Sequence, residues 1–540
     1  MSDPSSPSEL PTLKTVEELV GATRLLLGDR DEQTAAEQRM PGYEFSTSVG
    51  GELRRSLSRA IRAGEDPLGD AFCAIQSPDE RRPLGQTYTP AAVIRAMSGW
   101  ATDHGKPARV VDPGAGSGRY VLAAARKFPT AKVVAADIDP LAVLMLRANV
   151  AAAGLGDRVQ IVLGDYRALD LPRVDGATLF IGNPPYVRHH AIEPAWKEWL
   201  VATAKTRGLD ASGLAGLHVH FFLATAEHAR KGDYGTFITS AEWMDVNYGR
   251  LVRQLLLGPL GGQSLHVLEP DAEVFADAAT TAAIACFKIG EVPESMKVRR
   301  VATVGDLGRL GKGRAVPRAR LAEENRWSVL TRVTPKLPQG YIELGDLCRV
   351  HRGSVTGANA VWVTRSDTVD LPEQVLYRSV TKARDLFTAG ERLGHEAALR
   401  RVIDLPVDLD VFEADERAQV ERFLKDAKKR KAHEGYVARN RKAWWRVGLR
   451  EPAPVLATYM ARRPPAFVRN DASARHINIA HGLYPRQELS ENALDSLATH
   501  LRTAVTLAQG RTYAGGLTKF EPKEMERLLI PSLEVLNEGA

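Results

Sequence analysis

VVDPGAGSGRYVLAAA, residues 110–125, reads as the end of a strand, an acid-led glycine loop and the start of a helix. Glycines at alternate positions let the backbone turn sharply and approach a ligand without an intervening Cβ. The spacing Asp112-x-Gly114-x-Gly116-x-Gly118 departs from the GxGxxG dinucleotide fingerprint, and no Gly-Lys-Ser/Thr follows, so a P-loop is excluded. Outward from this loop, short apolar runs recur at Arg109–Asp112, Val133–Asp137, Val159–Asp165, Ala177–Asn183, Gly235–Ser240, Leu265–Glu269 and Ala282–Lys288. Helical patterns at Tyr120–Phe128, Leu141–Ala153 and His220–Ala229 lie between them. Strands alternating with helices of this length predict a doubly wound, mainly parallel seven-stranded α/β sheet, with the ligand site at the carboxyl ends of its strands.

Those strand ends carry acids. Asp137 closes the second strand nineteen residues after Gly118, where a carboxylate accepts ribose hydroxyls, and Asp165 closes the third, where it can accept from an adenine amine. Three carboxylates suit a net positive nucleoside better than a pyrophosphate, so the set describes S-adenosylmethionine rather than NAD. The alternative is that these acids cap strands in an unrelated doubly wound protein.

The fourth strand runs into Asn183-Pro184-Pro185-Tyr186. This tetrapeptide, placed after this glycine loop, resembles the amino-methyltransferases that act on exocyclic NH2 groups, and its motif order is that of the gamma-class DNA adenine-N6 methyltransferases of restriction–modification systems. The resemblance covers about residues 80–290. It implies that Asn183 and the Pro184 carbonyl accept from the target amine, that Pro185 stiffens the loop and that Tyr186 stacks on a base turned out of the duplex. In GQTYTPAAV, Tyr88 and Thr89 would border the methionine end of the cofactor; Phe221 would border its adenine, and Phe275 would be a second aromatic against the flipped base. Thr89 also reads as an N-cap with Pro90 as the first helical residue. His218 and His220 read as wall or core residues, since no third zinc ligand accompanies them.

Residues 1–75 read as a helical lead-in, loosely ordered over 1–40 with a helix at Val16–Leu27 and helical over 50–75 from the spacing of Leu53, Leu57 and Ile61, residues 76–295 as the catalytic domain, 296–340 as a basic linker and 341–540 as a mixed α+β target-recognition domain. Within the last, Lys425–Arg450 holds ten Lys/Arg against two acids, more excess charge than the whole chain's +6. Basic residues neutralise phosphates and aromatics can stack, so Arg439, Arg441, Lys442, Trp444, Trp445 and Arg446 are candidate DNA contacts. A charged run is often only a solvated face, and the Trp pair could equally be core.

The 540 residues are 44% hydrophobic and 26% charged, an ordinary globular composition that excludes wholesale disorder. No apolar run is long enough to cross a membrane, and no secretory leader opens the chain. Three scattered cysteines fit a reducing cytoplasm and no metal site. The resemblance implies S-adenosylmethionine as cofactor, double-stranded DNA as partner and a separate restriction endonuclease. Cytosine N4, RNA or a protein glutamine remain alternative targets, and a catalytically inactive DNA-specificity module is the non-enzymatic alternative.

Overall fold

Short apolar runs ending in Asp, Gly or Asn become the strands β1 (Arg109–Pro113), β2 (Lys132–Asp137), β3 (Val159–Leu163), β4 (Thr178–Gly182), β5 (Tyr234–Ser240), β6 (Gly262–Leu268) and β7 (Ala282–Lys288). Two more follow, β8 (Ser295–Val301) and β9 (Arg314–Pro317). In this computed structural model, which describes residues 12–28, 33–269, 281–331, 338–365, 369–395, 399–513 and 517–538, the strands join in one sheet of order β3-β2-β1-β4-β5-β7-β6-β8-β9. The half from β3 to β5 is parallel throughout, β7 runs antiparallel between β5 and β6, and the chain reverses its direction of travel across the sheet between β1 and β4. Every residue of β1, β4 and β5 is buried, as expected for strands covered by helices on both faces. The switch point between β1 and β4 is where such sheets open a ligand crevice.

Among the described residues the sheet therefore has nine strands, not seven, and residues 296–331 of the expected linker belong to the first unit. β8 pairs in parallel with the edge of β6, from Ser264↔Lys297 to Leu268↔Val301, and β9 pairs antiparallel with β8. In Ser-Met-Lys-Val-Arg-Arg-Val, Met296, Val298 and Val301 are buried, Lys297 is exposed, and Arg299 and Arg300 are half-buried on opposite faces, paired with His266 and Glu269. The adjacent arginines break the period of two by which a strand is recognised. The compact unit ends at Val333, and the second spans residues 334–540.

Residues 50–75 are helical as their periodicity predicts, and the helix of the lead-in before them is packed rather than loosely ordered. Helices Val16–Leu27, Thr47–Ala63 and Pro67–Ile75 pack with helix Pro140–Ala152 into one apolar cluster that includes Leu19, Leu57, Phe72, Leu144 and Met145. The first of these helices has the bounds its periodicity predicts. Pro90, not Thr89, is the N-cap residue of helix Ala91–His104, and Thr89 has another partner described below.

The second unit is mixed, with short helices among four small sheets in the described residues. One sheet pairs Cys348–Arg352, Ala480–Pro485, Val455–Thr458 and Phe467–Arg469, and helix Glu491–Ala504 shares its core through Leu494, Leu497 and Leu501. Among the described residues no helix is long and apolar enough to cross a membrane.

Candidate active site

The loop after β1 lies at the switch point. Gly114, Gly116 and Gly118 take φ of 70°, 56° and 95°, a region that L side chains avoid. The turn aims the Gly116 N–H at Asp137 Oδ2 (2.8 Å), while the Asp139 N–H donates to Oδ1 (3.0 Å). The half-buried Asp137 carboxyl is pushed up to about 6 by burial, against the pull of these two donors. Asp112 lies beneath the loop rather than on the cleft wall. It is 1% exposed, neither carboxylate oxygen has a partner of normal hydrogen-bond geometry among the described residues, and burial, helped by the charge of Asp137, holds its carboxyl well above the usual range.

Asn183 follows β4, with its amide held from one side. Nδ2 donates to the Thr87 carbonyl (2.8 Å) and to Thr89 Oγ1 (3.1 Å). Both amide hydrogens are thereby used, and the flipped amide would set an oxygen against a carbonyl, so the orientation follows from its partners. Oδ1 is left buried with no hydrogen-bond partner among the described residues. Such an atom costs about 1–3 kcal/mol of stability, a cost expected where an acceptor waits for a substrate. Pro184 is buried, and Pro185 and Tyr186 are half-buried. The Tyr186 N–H donates to the Gly85 carbonyl (3.2 Å), fastening this loop to the strap at residues 85–90.

Loop, strap and tetrapeptide enclose a cleft of about 860 Å³, counting its open mouth. Tyr88, Thr89, Gly114, Gly116, Asp137, Asp165, Asn183, Pro185 and Phe221 line it; Gly118, Pro184 and Tyr186 lie outside its lining, as Asp112 does. Asp165 is not a bare acceptor: Arg167 holds it through Nε (2.9 Å) and NH2 (2.6 Å), with the guanidinium 3.9 Å over the Trp196 ring. Phe221, 5% exposed, packs against Tyr166 on the inner wall. His218 and His220 are buried, and burial lowers them to about 4 and about 3, so both are neutral core residues. Phe275 lies outside the described residues. The sequence reading missed Ile138, an apolar side chain 50% exposed on the cleft wall directly after Asp137. An exposed Ile at a strand end is the signal that could have found it.

In the second unit, Arg439, Lys442 and Arg446 are exposed, while Arg441 is half-buried and donates to the Val355 carbonyl. Trp444 and Trp445 are half-buried and pack against a core cluster, in line with the alternative left open for them. Trp444 packs edge-on against Trp362 (6.1 Å) and Trp445 (5.8 Å), and Trp445 Nε1 donates to the Pro406 carbonyl (2.8 Å). Their apolar area is drawn into the cluster around Val420, Leu424 and Leu449.

Family models agree with this division. A methyltransferase-domain model matches residues 110–206, the Eco57I restriction–modification methylase model residues 173–268, and the model of the type II methyltransferase M.Eco57I C-terminal domain residues 321–539. Type II methyltransferase M.XamI of Xanthomonas campestris pv. amaranthicola is 50% identical over 535 residues, spanning 97% of this chain and 100% of its own length. The chain belongs to the type II restriction–modification methyltransferases. M.AccI of Acinetobacter calcoaceticus is 21% identical over 480 residues, 85% of this chain and 87% of its own. The type IIL restriction–modification enzyme MmeI, solved in complex with DNA, shares the fold with a TM-score of 0.51 at 13% identity over 89% of this chain and 75% of its own.

The methyl donor of this methyltransferase is S-adenosylmethionine, and the residues present fit it. Bare glycine backbone faces the cleft, since a Cβ on Gly116 would meet only the Tyr88 ring at 3.9 Å. Asp112 leaves a buried, orphaned carboxyl beneath the loop, Asp137 presents a carboxyl on the wall, and Ile138 and Phe221 line the cleft with apolar surface, an arrangement compatible with a nucleoside. One consequence is a pH dependence. Cofactor affinity is expected to fall as the pH drops through about 6, by up to tenfold per unit, because a neutral Asp137 carboxyl would be a poorer acceptor for the cofactor. The same shift works oppositely on stability: between about 4 and 6 the native state binds more protons than the unfolded chain, so this group's contribution declines as pH rises. Calorimetric titration from pH 5 to 8 checks the first statement, and Asp137→Asn is expected to flatten the profile.

Proposed function

We propose that this methyltransferase transfers a methyl group to the N6 amine of adenine at a specific site in duplex DNA, with the base turned out of the helix, and so protects that DNA from a restriction endonuclease carried on a separate chain. The observation that carries the reading is the buried, unpaired Oδ1 of Asn183 facing a cleft that fits the donor. The lone pair of an exocyclic amine is conjugated with its ring and poorly nucleophilic. Two acceptors aimed at its two N–H bonds draw that lone pair out, a role the resemblance assigns to Asn183 Oδ1 and the Pro184 carbonyl. Bound S-adenosylmethionine supplies a methyl group on a cationic sulfur that departs as a neutral thioether. Asn183 aligns the nitrogen for in-line attack, which is mainly a matter of positioning. The methylated amine then sheds its proton to water, so no strong base is required. A base inside a duplex stack cannot reach an oxygen buried in a cleft, and this favours extrusion, with Tyr186 as its stacking surface.

The Asn-led tetrapeptide favours adenine over cytosine N4, and the 207-residue second unit sets the chain apart from a minimal protein methyltransferase. Exposed Arg439, Lys442 and Arg446 would track phosphates, with Arg441 fixing their segment. Acting on chromosomal DNA puts the enzyme in the cytoplasm. The deciding experiment incubates the protein with labelled cofactor and genomic DNA, then hydrolyses the DNA to nucleosides. N6-methyladenine is expected; N4-methylcytosine, or label found only in RNA or protein, overturns the assignment. In the same system log affinity for duplex falls linearly with log salt. Replacing Arg439, Lys442 and Arg446 together with Ala lowers that slope by about 0.9 for each phosphate that is no longer neutralised. An unchanged slope removes these three residues from the DNA surface.

A further inference from the structure

Asp66 belongs to a segment that precedes every family match, yet its carboxylate reaches the catalytic half. It is 8% exposed and caps helix Pro67–Ile75 through the Gly69 N–H (3.0 Å). Capping alone would need one acceptor. Oδ1 also accepts from Asn149 Nδ2 (3.0 Å), and Oδ2 accepts from Ser117 Oγ (2.5 Å) and Arg119 Nε (2.7 Å), the residues on either side of Gly118 in the cofactor loop. Gly69 makes room for this, because a Cβ there would lie 2.7 Å from Ser117 Oγ.

Arg119 carries the connection onward. Its NH1 donates to the Thr89 carbonyl (3.2 Å), its guanidinium lies 5.1 Å from the Tyr88 ring centre, and its NH2 pairs with Asp70 (2.5 Å). Thr89 is the residue whose Oγ1 receives the Asn183 amide. Asp66, Arg119, Thr89 and Asn183 thus form one hydrogen-bonded chain from the N-terminal helices to the catalytic tetrapeptide.

We propose that Asp66 and Arg119 are positioning residues for methyl transfer: they seat the strap at residues 85–90 against the cofactor loop, and Thr89 on that strap holds the Asn183 amide with Oδ1 towards the substrate. This rests on Asn183 being the amine's acceptor. The brace joins the loop that cradles the donor to the group that orients the acceptor, so the two reactants are set in register by one charged, largely buried network. In such surroundings its hydrogen bonds are strong, and a displacement of about 1 Å at the reacting atoms costs about a hundredfold in rate.

The test measures single-turnover methyl transfer at saturating cofactor and DNA, with both dissociation constants determined separately. Arg119→Met is expected to slow transfer at least tenfold while both dissociation constants change less than threefold. Asp66→Asn slows it less, and the double variant is no slower than Arg119→Met, because Asp66 acts through Arg119. Thr89→Val reproduces the loss and Thr89→Ser recovers most of it. Wild-type rates in Arg119→Met, losses that multiply in the double variant, or full recovery at saturating cofactor each overturn the brace. Asn183→Ala runs alongside: if it transfers at the wild-type rate the acceptor assignment itself has failed, whereas its inactivity beside a fully active Arg119→Met leaves that assignment standing and removes only the brace.

Discussion

Asn183→Ala is expected to lose methyl transfer by at least 10²–10³-fold while cofactor and DNA affinity stay near wild type. The magnitude is taken from the removal of a single preorganised group that stabilises a developing charge, about 2.7–4 kcal/mol. The loss falls on the rate because the Oδ1 contact strengthens as the amine nitrogen becomes tetrahedral, and a contact made chiefly in the transition state leaves ground-state binding alone. Stability should scarcely change. The substitution deletes two hydrogen bonds from Nδ2, each worth about 1 kcal/mol, and also deletes a buried unpaired oxygen costing about 1–3 kcal/mol. The terms nearly cancel, which is the pattern of a group kept for function at the expense of the fold. Single-turnover kinetics with thermal unfolding on the same preparations separates the two effects. A variant that transfers at the wild-type rate contradicts the mechanism, and one that melts far below wild type contradicts the thermodynamic reading.

The parts of this site that were legible in the sequence are those whose chemistry is local. Gly114 and Gly116 follow β1 and Asp137 ends β2, so the sheet topology alone sends these three to one crevice, whereas Asp112 lies beneath it and Gly118 outside its lining. Asn183-Pro184-Pro185-Tyr186 follows β4 for the same reason. Contacts between distant segments were not legible. Asp66 before Pro67 reads as a helix cap, and it is one, but nothing in its neighbourhood reveals Ser117 and Arg119, 51 and 53 residues on. Thr89 before Pro90 reads as a cap and is not, because the Asn183 amide, 94 residues away, takes its hydroxyl. Asp165 stands where expected, but its pairing with Arg167 depends on the Trp196 ring that shelters the guanidinium. Charge hid β8, and it left the Trp444–Trp445 pair open between core and surface. Lys297, Arg299 and Arg300 suggested a linker although Met296, Val298 and Val301 are buried, and aromatics within a basic run fitted either place, where the structure has the pair half-buried against a core cluster.

Gly85→Ala is expected to impair transfer on a scale approaching that of Asn183→Ala, by a route that no side-chain inventory suggests. Gly85 takes φ +64°, where an L residue costs about 1–2 kcal/mol, and its carbonyl receives the Tyr186 N–H. A Cβ at this position would lie 2.4 Å from Tyr186 N and 2.8 Å from Tyr186 C. Both are backbone atoms, so no rotamer change relieves the overlap and either the strap or the catalytic loop must move. The strap also carries Thr87 and Thr89, the two partners of the Asn183 amide, so any separation pulls that amide from its orientation. A shift of about 1 Å corresponds to a loss of about 10² in rate. Backbone strain by itself is controlled by Gly232→Ala: that residue has φ +97° but no atom within 4 Å of its Cβ position, so the variant should lose about as much stability from strain and transfer normally. If Gly85→Ala behaves as Gly232→Ala does, the strap does not set the catalytic loop; if it is slow at saturating cofactor and DNA while still cooperatively folded, the close approach of two backbones at Gly85 is part of the active site.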